Sequence, residues 1–101
     1  MEWRPPWVPV PNDQTALNLE SELTKEATSK HPLYGLQVSA IGFGEDPDDV
    51  IFELLDGKHR FAIVHLTWRM RPETPPWPHT VIFADERDLV IRGIRPSQQT
   101  L

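Results

Sequence analysis

The stretch at residues 50–68, VIFELLDGKHRFAIVHLTW, constrains the fold of this chain more than any other. Two runs rich in β-branched and aromatic residues flank Asp56-Gly57, a strong signal for a β-hairpin, because glycine supplies the positive φ of a tight turn. A two- or four-residue loop would place Phe52 and Phe61 on one face, whereas a three-residue loop would set Glu53 against Phe61. We expect an even-numbered loop, with Phe52 and Phe61 buried on the same face.

Strand alternation then assigns the two faces of the hairpin. The first face carries Val50, Phe52, Leu54, Phe61, Ile63, His65 and Thr67. The second face carries Ile51, Glu53, Leu55, Arg60, Ala62, Val64, Leu66 and Trp68. Both faces hold large apolar side chains, so each needs a packed layer over it.

A helix is predicted from residue 12 or 13 to about residue 30, with an N-terminal cap at Asn12, Asp13 or Thr15. Its apolar side chains recur at three- and four-residue spacing and form one narrow stripe: Ala16, Leu19, Leu23 and Ala27. Glu26 and Lys30 are four residues apart, with the acidic residue nearer the N-terminus, which predicts an ion pair on the helix surface that stabilises the helix modestly. His31-Pro32 should end the helix, because the residue before proline avoids helical geometry.

The remaining elements are predicted to be strands. Residues 36–43 alternate as a half-buried strand that ends in Gly42 and Gly44, and residues 80–84 are β-formers. Residues 88–94 suit a further strand after the D-E-R-D turn, and the alternative is a final helix over 85–94. The sequence therefore predicts an α+β fold in which one N-terminal helix packs on an antiparallel meander of four to five strands.

Three regions are expected along the chain: a Pro/Trp-rich arm at 1–11, a single α+β domain at 12–94 and a loose tail at 95–101. Prolines prevent the arm from forming a helix and favour extended geometry. The arm and the proline-rich loop at 72–78 are the segments available to cover the second face of the sheet. The alternative interpretation makes their tryptophans contacts for a partner.

Composition excludes several classes of function. The net charge of −5 argues against general nucleic-acid binding, which needs basic surface, and would suit a basic partner protein. The absence of cysteine removes thiol catalysis and Cys-ligated zinc. No segment has the length and hydropathy of a signal peptide or a membrane span. We expect a cytoplasmic protein that contacts neither nucleic acid nor membrane.

The charged and imidazole side chains give no catalytic or metal motif. The acidic turn Glu45, Asp46, Asp48 and Asp49 lacks the spaced ligands and glycine of a calcium loop. The histidines, His31, His59, His65 and His79, show no zinc-ligand spacing. His65 follows Ile63 on the first face and is expected to be structural, with an acid–base role as the alternative. We predict no cofactor, no metal and no enzymatic activity.

HPLYG, DDVIFELLDG and RFAIVHLTWR, followed by PPWP, resemble segments of a group of small uncharacterised bacterial proteins. That group shares a VHLTW strand followed by a Trp-Pro loop, and the resemblance covers roughly residues 20–84 without implying an activity. Small bacterial α+β domains of this kind are often immunity proteins or accessory regulators, an analogy at the level of the fold.

We therefore expect a domain that binds another protein. The candidate contacts are Glu45, Asp46, Asp48, Asp49, Trp3, Trp7 and Trp77. The alternatives are a small hydrolase or isomerase centred on His65, and a homodimer joined through sheet edges. A pocket holding His65 beside a carboxylate would favour the enzyme, and a flat acidic or aromatic surface would favour the binding domain.

Overall fold

The computed structural model describes residue 1, residues 3–74 and residues 77–95. The strands are β1 (Val8–Pro9), β2 (Val38–Phe43), β3 (Asp49–Leu54), β4 (Phe61–His65) and β5 (His79–Phe83). The helices are α1 (Asp13–Glu26) and α2 (Glu86–Asp88), and α2 continues as a π-helical segment, Leu89–Ile94. The five strands lie in sequence order in one antiparallel sheet. The predicted α+β meander with one N-terminal helix is confirmed.

The central hairpin forms, but its predicted register is wrong by one residue. Glu53 pairs with Phe61, and Phe52 pairs with Ala62, so the two phenylalanines lie on opposite faces of the sheet. The N–H of Leu54 donates to the carbonyl of Arg60 at 2.9 Å, which leaves an odd number of residues in the loop. His59, like Gly57, has a left-handed backbone (φ 57° and 79°), and this extra turn residue shifts every later side chain to the other face.

One face of the sheet packs against α1 in a first apolar cluster. Its buried members are Leu19, Leu23, Ala27, Leu33, Ala40, Val50, Phe52, Leu54, Ala62, Val64 and Leu66. The Asn12 side chain caps α1 by accepting the N–H of Thr15 at 2.8 Å. The helix ends at Glu26, four residues before the predicted end. The reason is tertiary, because the N–H of Glu73 donates to the Glu26 carbonyl at 2.9 Å.

The opposite face carries a second apolar cluster that two terminal segments cover. Its buried members are Trp7, Ile51, Phe61, Phe83, Leu89, Val90 and Ile94, with Trp3, Ile41 and Ile63 packed against them. The arm also adds β1 to the edge of the sheet, where Val8 pairs with Phe43. The loop at 72–78 is the other segment predicted to cover this face. That prediction is wrong for Trp77, which is 47% exposed.

The predicted strand at 88–94 is instead helical, as in the alternative. The Asp85 side chain accepts the N–H of Asp88 at 2.8 Å, so the D-E-R-D turn is a helix N-cap. Of the β-forming residues that suggested a strand, Leu89 and Val90 are buried against the second face, whereas Ile91 is 44% exposed. Beyond Arg95, the predicted tail at 95–101 lies outside the described residues.

Two glycines let the arm approach β2 closely. A Cβ at Gly42 would overlap the ring of Trp3, and a Cβ at Gly44 would lie 3.2 Å from the ring of Trp7. These close approaches explain the glycines at the end of the predicted strand. Where the structure describes the chain, no helix combines the length and apolar character needed to cross a membrane.

Candidate functional site

A cleft of about 350 Å³ lies beside the end of β4. Asp48 contributes from the turn before β3, His65 from the last position of β4, and Trp77 from the segment before β5. The other polar side chains that line it are Thr67, Arg69 and Glu73. The sheet therefore brings the acidic turn, one imidazole and one aromatic wall into a single concave surface.

His65 and Asp49 form the closest ionisable pair in this region. They are directly opposite each other on β4 and β3, and His65 Nδ1 lies 2.7 Å from Asp49 Oδ1. This hydrogen bond is the main reason that the pKa of His65 is raised, and the charges of Asp49, Asp46 and Asp48 add to it. Both side chains are more than one-third exposed, so the electrostatic gain is screened by water.

The acidic turn is locally ordered. Asp46 Oδ1 accepts the N–H of Asp48 at 2.9 Å, and the Asp46 carbonyl accepts the N–H of Asp49 at 3.0 Å. The other oxygen, Asp46 Oδ2, lies 3.9 Å from His65 Nδ1. One ligand atom each from Asp46, Asp49 and His65 lies within 4.8 Å of the others, close enough for one divalent cation. The same three groups also satisfy one another as an ion pair.

The far side of the cleft is built around Glu73. This side chain is 9% exposed and accepts a hydrogen bond from the Thr67 hydroxyl at 3.2 Å. Arg69 Nε lies 3.7 Å from the same carboxylate. Trp77 stands edge-on to His79, with ring centroids 6.5 Å apart, and keeps 47% of its surface exposed. Thr67 is thus engaged with Glu73 and not with His65.

Two buried carboxyl groups on α1 hold the segment that follows β4. Glu26 accepts the N–H of Thr67 at 2.9 Å and the N–H of Trp68 at 2.9 Å. Glu22 accepts the N–H of Met70 at 3.0 Å. Glu22 is 1% exposed and Glu26 is 0% exposed. Burial and the hydrogen bond with Glu22 raise the pKa of Glu26, against the opposing effect of the N–H donors.

Two large apolar side chains of this segment remain exposed. Trp68 is 41% exposed and Met70 is 65% exposed, and both have a left-handed backbone, with φ of 58° and 60°. Trp68 lines a second cleft of about 350 Å³ with Phe43 and Pro47. Asp48 lines both clefts, so they adjoin. We call the combined region the acidic–aromatic surface, and its defining residues are Asp46, Asp48, Asp49, His65, Trp68, Glu73 and Trp77.

The residues predicted to contact a partner fall into two groups. Asp46, Asp48, Asp49 and Trp77 belong to the acidic–aromatic surface, and Glu45 is exposed beside it. Trp7 is instead 7% exposed within the second apolar cluster, where half-buried Trp3 also packs. These two tryptophans are therefore part of the core, and their prediction as partner contacts is wrong. Trp68, which is predicted to lie on the second face of the sheet, is 41% exposed.

Sequence reasoning missed the roles of Glu22, Glu26 and Glu73. It placed Glu26 on the helix surface with Lys30, which is wrong, because Glu26 is fully buried. A signal was present: Glu22 and Glu26 each directly precede a residue of the apolar stripe, Leu23 and Ala27. A carboxylate beside such a stripe lies at the edge of the buried face, within reach of a neighbouring loop.

No protein-family model, no curated protein and no solved structure matches the chain. The resemblance to small bacterial proteins with a VHLTW strand therefore stays a prediction.

Proposed function

We propose that this chain is a small bacterial protein-binding domain that acts by contact with another protein, as an immunity-type inhibitor or an accessory regulator does. The single observation that carries the proposal is the acidic–aromatic surface. There, a cleft of about 350 Å³ joins the exposed Trp77 to Asp48 of the turn before β3 and to His65, whose imidazole contacts Asp49. We propose the cytoplasm as its compartment.

The aromatic part of this surface suits a protein interface. Trp68, Met70 and Trp77 are each at least 41% exposed, and Trp and Met are enriched at the centres of interfaces. Two exposed tryptophans on adjoining clefts form an apolar surface of the kind that marks a protein–protein interaction site in soluble proteins. The fold does not use either ring to cover the sheet, because the arm and the C-terminal helical segment already do so.

The charges favour a basic partner. Asp46, Asp48 and Asp49 lie at one side of the cleft, and His65 is the basic group beside them. Arg69 Nε lies 3.7 Å from Glu73 and the Arg69 side chain is 61% exposed, so it compensates that carboxylate only in part. A lysine or arginine side chain of a partner could contact the remaining carboxylates and the face of Trp77, a combination that adds cation–π to charge attraction.

Affinity capture from extracts of the source organism tests this proposal. The tagged wild-type chain should retain a specific protein, and Asp48→Asn and Trp77→Ala should each reduce its recovery at least tenfold. Glu45→Gln and Tyr34→Ala are the matched controls. Glu45 carries the same charge in the same turn but does not line this cleft, and Tyr34 is 58% exposed elsewhere. Equal recovery with all four variants, or no retained protein, would contradict the binding function.

The second candidate function is a hydrolase or isomerase centred on His65. It is favoured by the observation named above as its criterion: the cleft holds His65 beside a carboxylate, and Asp49 orients the imidazole through Nδ1. The hydroxyl in the cleft, Thr67, donates to Glu73 instead, so a substrate or water would have to supply the reacting group. This arrangement makes the enzyme the weaker candidate.

Turnover of chromogenic ester, amide and phosphate substrates tests the enzyme directly. We expect no turnover, and we expect His65→Gln to change the melting temperature only slightly. His79→Gln is the control, because His79 is exposed and lies directly opposite His65 on β5. Turnover that disappears in His65→Gln at an unchanged melting temperature, and persists in His79→Gln, would place the enzyme first.

A further inference from the structure

The segment that follows β4 is held by main-chain hydrogen bonds to two carboxyl groups. Glu26 accepts from both Thr67 and Trp68, and Glu22 accepts from Met70. Within this segment Thr67 and Arg69 line the cleft, and Trp68 and Met70 are exposed to solvent. The position of the acidic–aromatic surface thus depends on side chains that lie behind it.

Glu22 and Glu26 lie one helical turn apart on α1, so their side chains are neighbours on the same buried face of the helix. Two charged carboxylates this close, at 1% and 0% exposure, would repel strongly, because little water screens them. One proton between them removes the repulsion and forms a hydrogen bond. Their pairing is therefore favourable with one proton and unfavourable without it.

The neighbouring charged groups do not change this conclusion. On the facing segment, the Glu73 carboxylate is linked to Glu26 through Thr67, whose N–H donates to Glu26 and whose hydroxyl donates to Glu73. Glu73 therefore adds negative charge near the pair. Arg69 is the nearby cation, but it lies 3.7 Å from Glu73 and is 61% exposed. The donors that face Glu22 and Glu26 are the main-chain N–H groups of Thr67, Trp68 and Met70, together with the Thr67 hydroxyl, which also lowers the pKa of Glu26.

We propose that Glu22 and Glu26 are positioning residues that fix segment 67–70 while they share one proton, and that partner binding at the cleft weakens when this proton is lost. The consequence for binding rests on the proposed function. A carboxyl that holds the shared proton should have a raised pKa, and the pKa of Glu26 lies above its ordinary value of 4.5. A carboxyl with a raised pKa stabilises the folded state below 4.5, and this stabilisation is lost as the pH rises through the raised value.

Amide hydrogen exchange at Thr67, Trp68 and Met70 tests the positioning role without any partner. After correction for intrinsic exchange, protection of these three amides should fall on the order of tenfold as the pair loses its proton. Val64, which lies within β4, is the reference and should keep its protection. In Glu26→Gln, whose amide cannot ionise, protection should stay constant across the same pH range.

Glu20→Gln is the matched control. Glu20 is on the same helix, and its carboxylate also accepts a main-chain N–H, from Ala40 at 2.9 Å. This variant should keep the pH dependence of the wild type. Glu22→Gln gives a second way to remove the repulsion if Glu26→Gln fails to fold. Protection that does not vary with pH in the wild type, or that varies equally in Glu26→Gln, would overturn the proposal.

The binding consequence is measured separately with the protein retained in the capture experiment. Its affinity for the wild type should fall in parallel with amide protection, and its affinity for Glu26→Gln should not. A constant affinity across the pH range in which protection falls would overturn the regulatory part. Failure of the capture experiment would contradict the binding function alone, because exchange reports on the pair without a partner.

Discussion

At the scale of single residues, the register of the central hairpin is the most consequential detail. Phe52 lies in the cluster under α1, and Phe61 lies in the cluster under the arm and the C-terminal helical segment. The Asp-Gly signal located the turn correctly, but the sequence could not show that His59 also adopts a left-handed backbone. One residue in the loop decides which aromatic faces which layer.

This register predicts how substitutions of the two phenylalanines combine. Phe52→Ala and Phe61→Ala should each lower the free energy of unfolding by about 3–5 kcal/mol. The milder leucine variants should be additive within about 0.5 kcal/mol, because the two rings pack into different clusters. Chemical denaturation of the two single leucine variants and the double variant measures this. A coupling energy above about 1 kcal/mol would contradict the assignment to opposite faces.

Asp88 and Arg92 give a second prediction at this scale. Arg92 Nη2 donates to Asp88 Oδ2 at 2.8 Å, and this pairing is the main cause that lowers the pKa of Asp88 to about 2. A carboxylate with a lowered pKa contributes stability above its ordinary value of 3.8, and this is lost as the pH falls towards about 2. Asp88→Asn should therefore lower the melting temperature near neutral pH, and the difference from the wild type should close in acid. A constant difference across this range would contradict the account.

At the scale of elements, the sequence predicted what local pattern controls and missed what tertiary contacts control. The stripe through Leu19 and Leu23 located α1, and strand alternation located β2 to β4. The end of α1 depends on the N–H of Glu73, which is distant in sequence. Residues 89–94 have β-forming side chains, yet they are helical because a cap at Asp85 and burial against the sheet outweigh propensity.

The candidate site was likewise predictable from the sequence only in part. The acidic turn and Trp77 were identified from residue type alone. Their meeting with His65 depends on the fold, because Asp49 and His65 are paired by strand register. The burial of Trp7 and the exposure of Trp68 could not be predicted from the sequence. Each ring has a large apolar surface that favours burial, and only tertiary packing decides which ring is buried.

The arm gives the prediction at the scale of elements. Deleting residues 1–11 removes β1 and the buried ring of Trp7, so we expect a lower melting temperature and faster amide exchange in β2. Trp7→Ala, which leaves the arm in place, separates the loss of the ring from the loss of the strand. An unchanged melting temperature after the deletion would show that the arm does not stabilise the domain.

At the scale of the whole molecule, the two faces of the sheet are covered by different parts of one chain. The predicted homodimer would have to use an outer strand, either β1 or β5. Val81 on β5 is 41% exposed, so Val81→Lys should convert a dimer joined through β5, but not one joined through β1, to a monomer in sedimentation velocity. A wild-type chain that sediments as a monomer at high concentration would contradict the homodimer.

The central claim is that the acidic–aromatic surface contacts a partner protein. The most direct measurement is an NMR titration of the captured protein into the ¹⁵N-labelled chain, in which the chemical shifts of the backbone amide and tryptophan indole N–H groups are recorded. We predict the largest changes at Asp48, Trp68 and the Trp77 indole. Changes that concentrate instead around Leu17 and Tyr34, with the Trp77 indole unmoved, would contradict the claim.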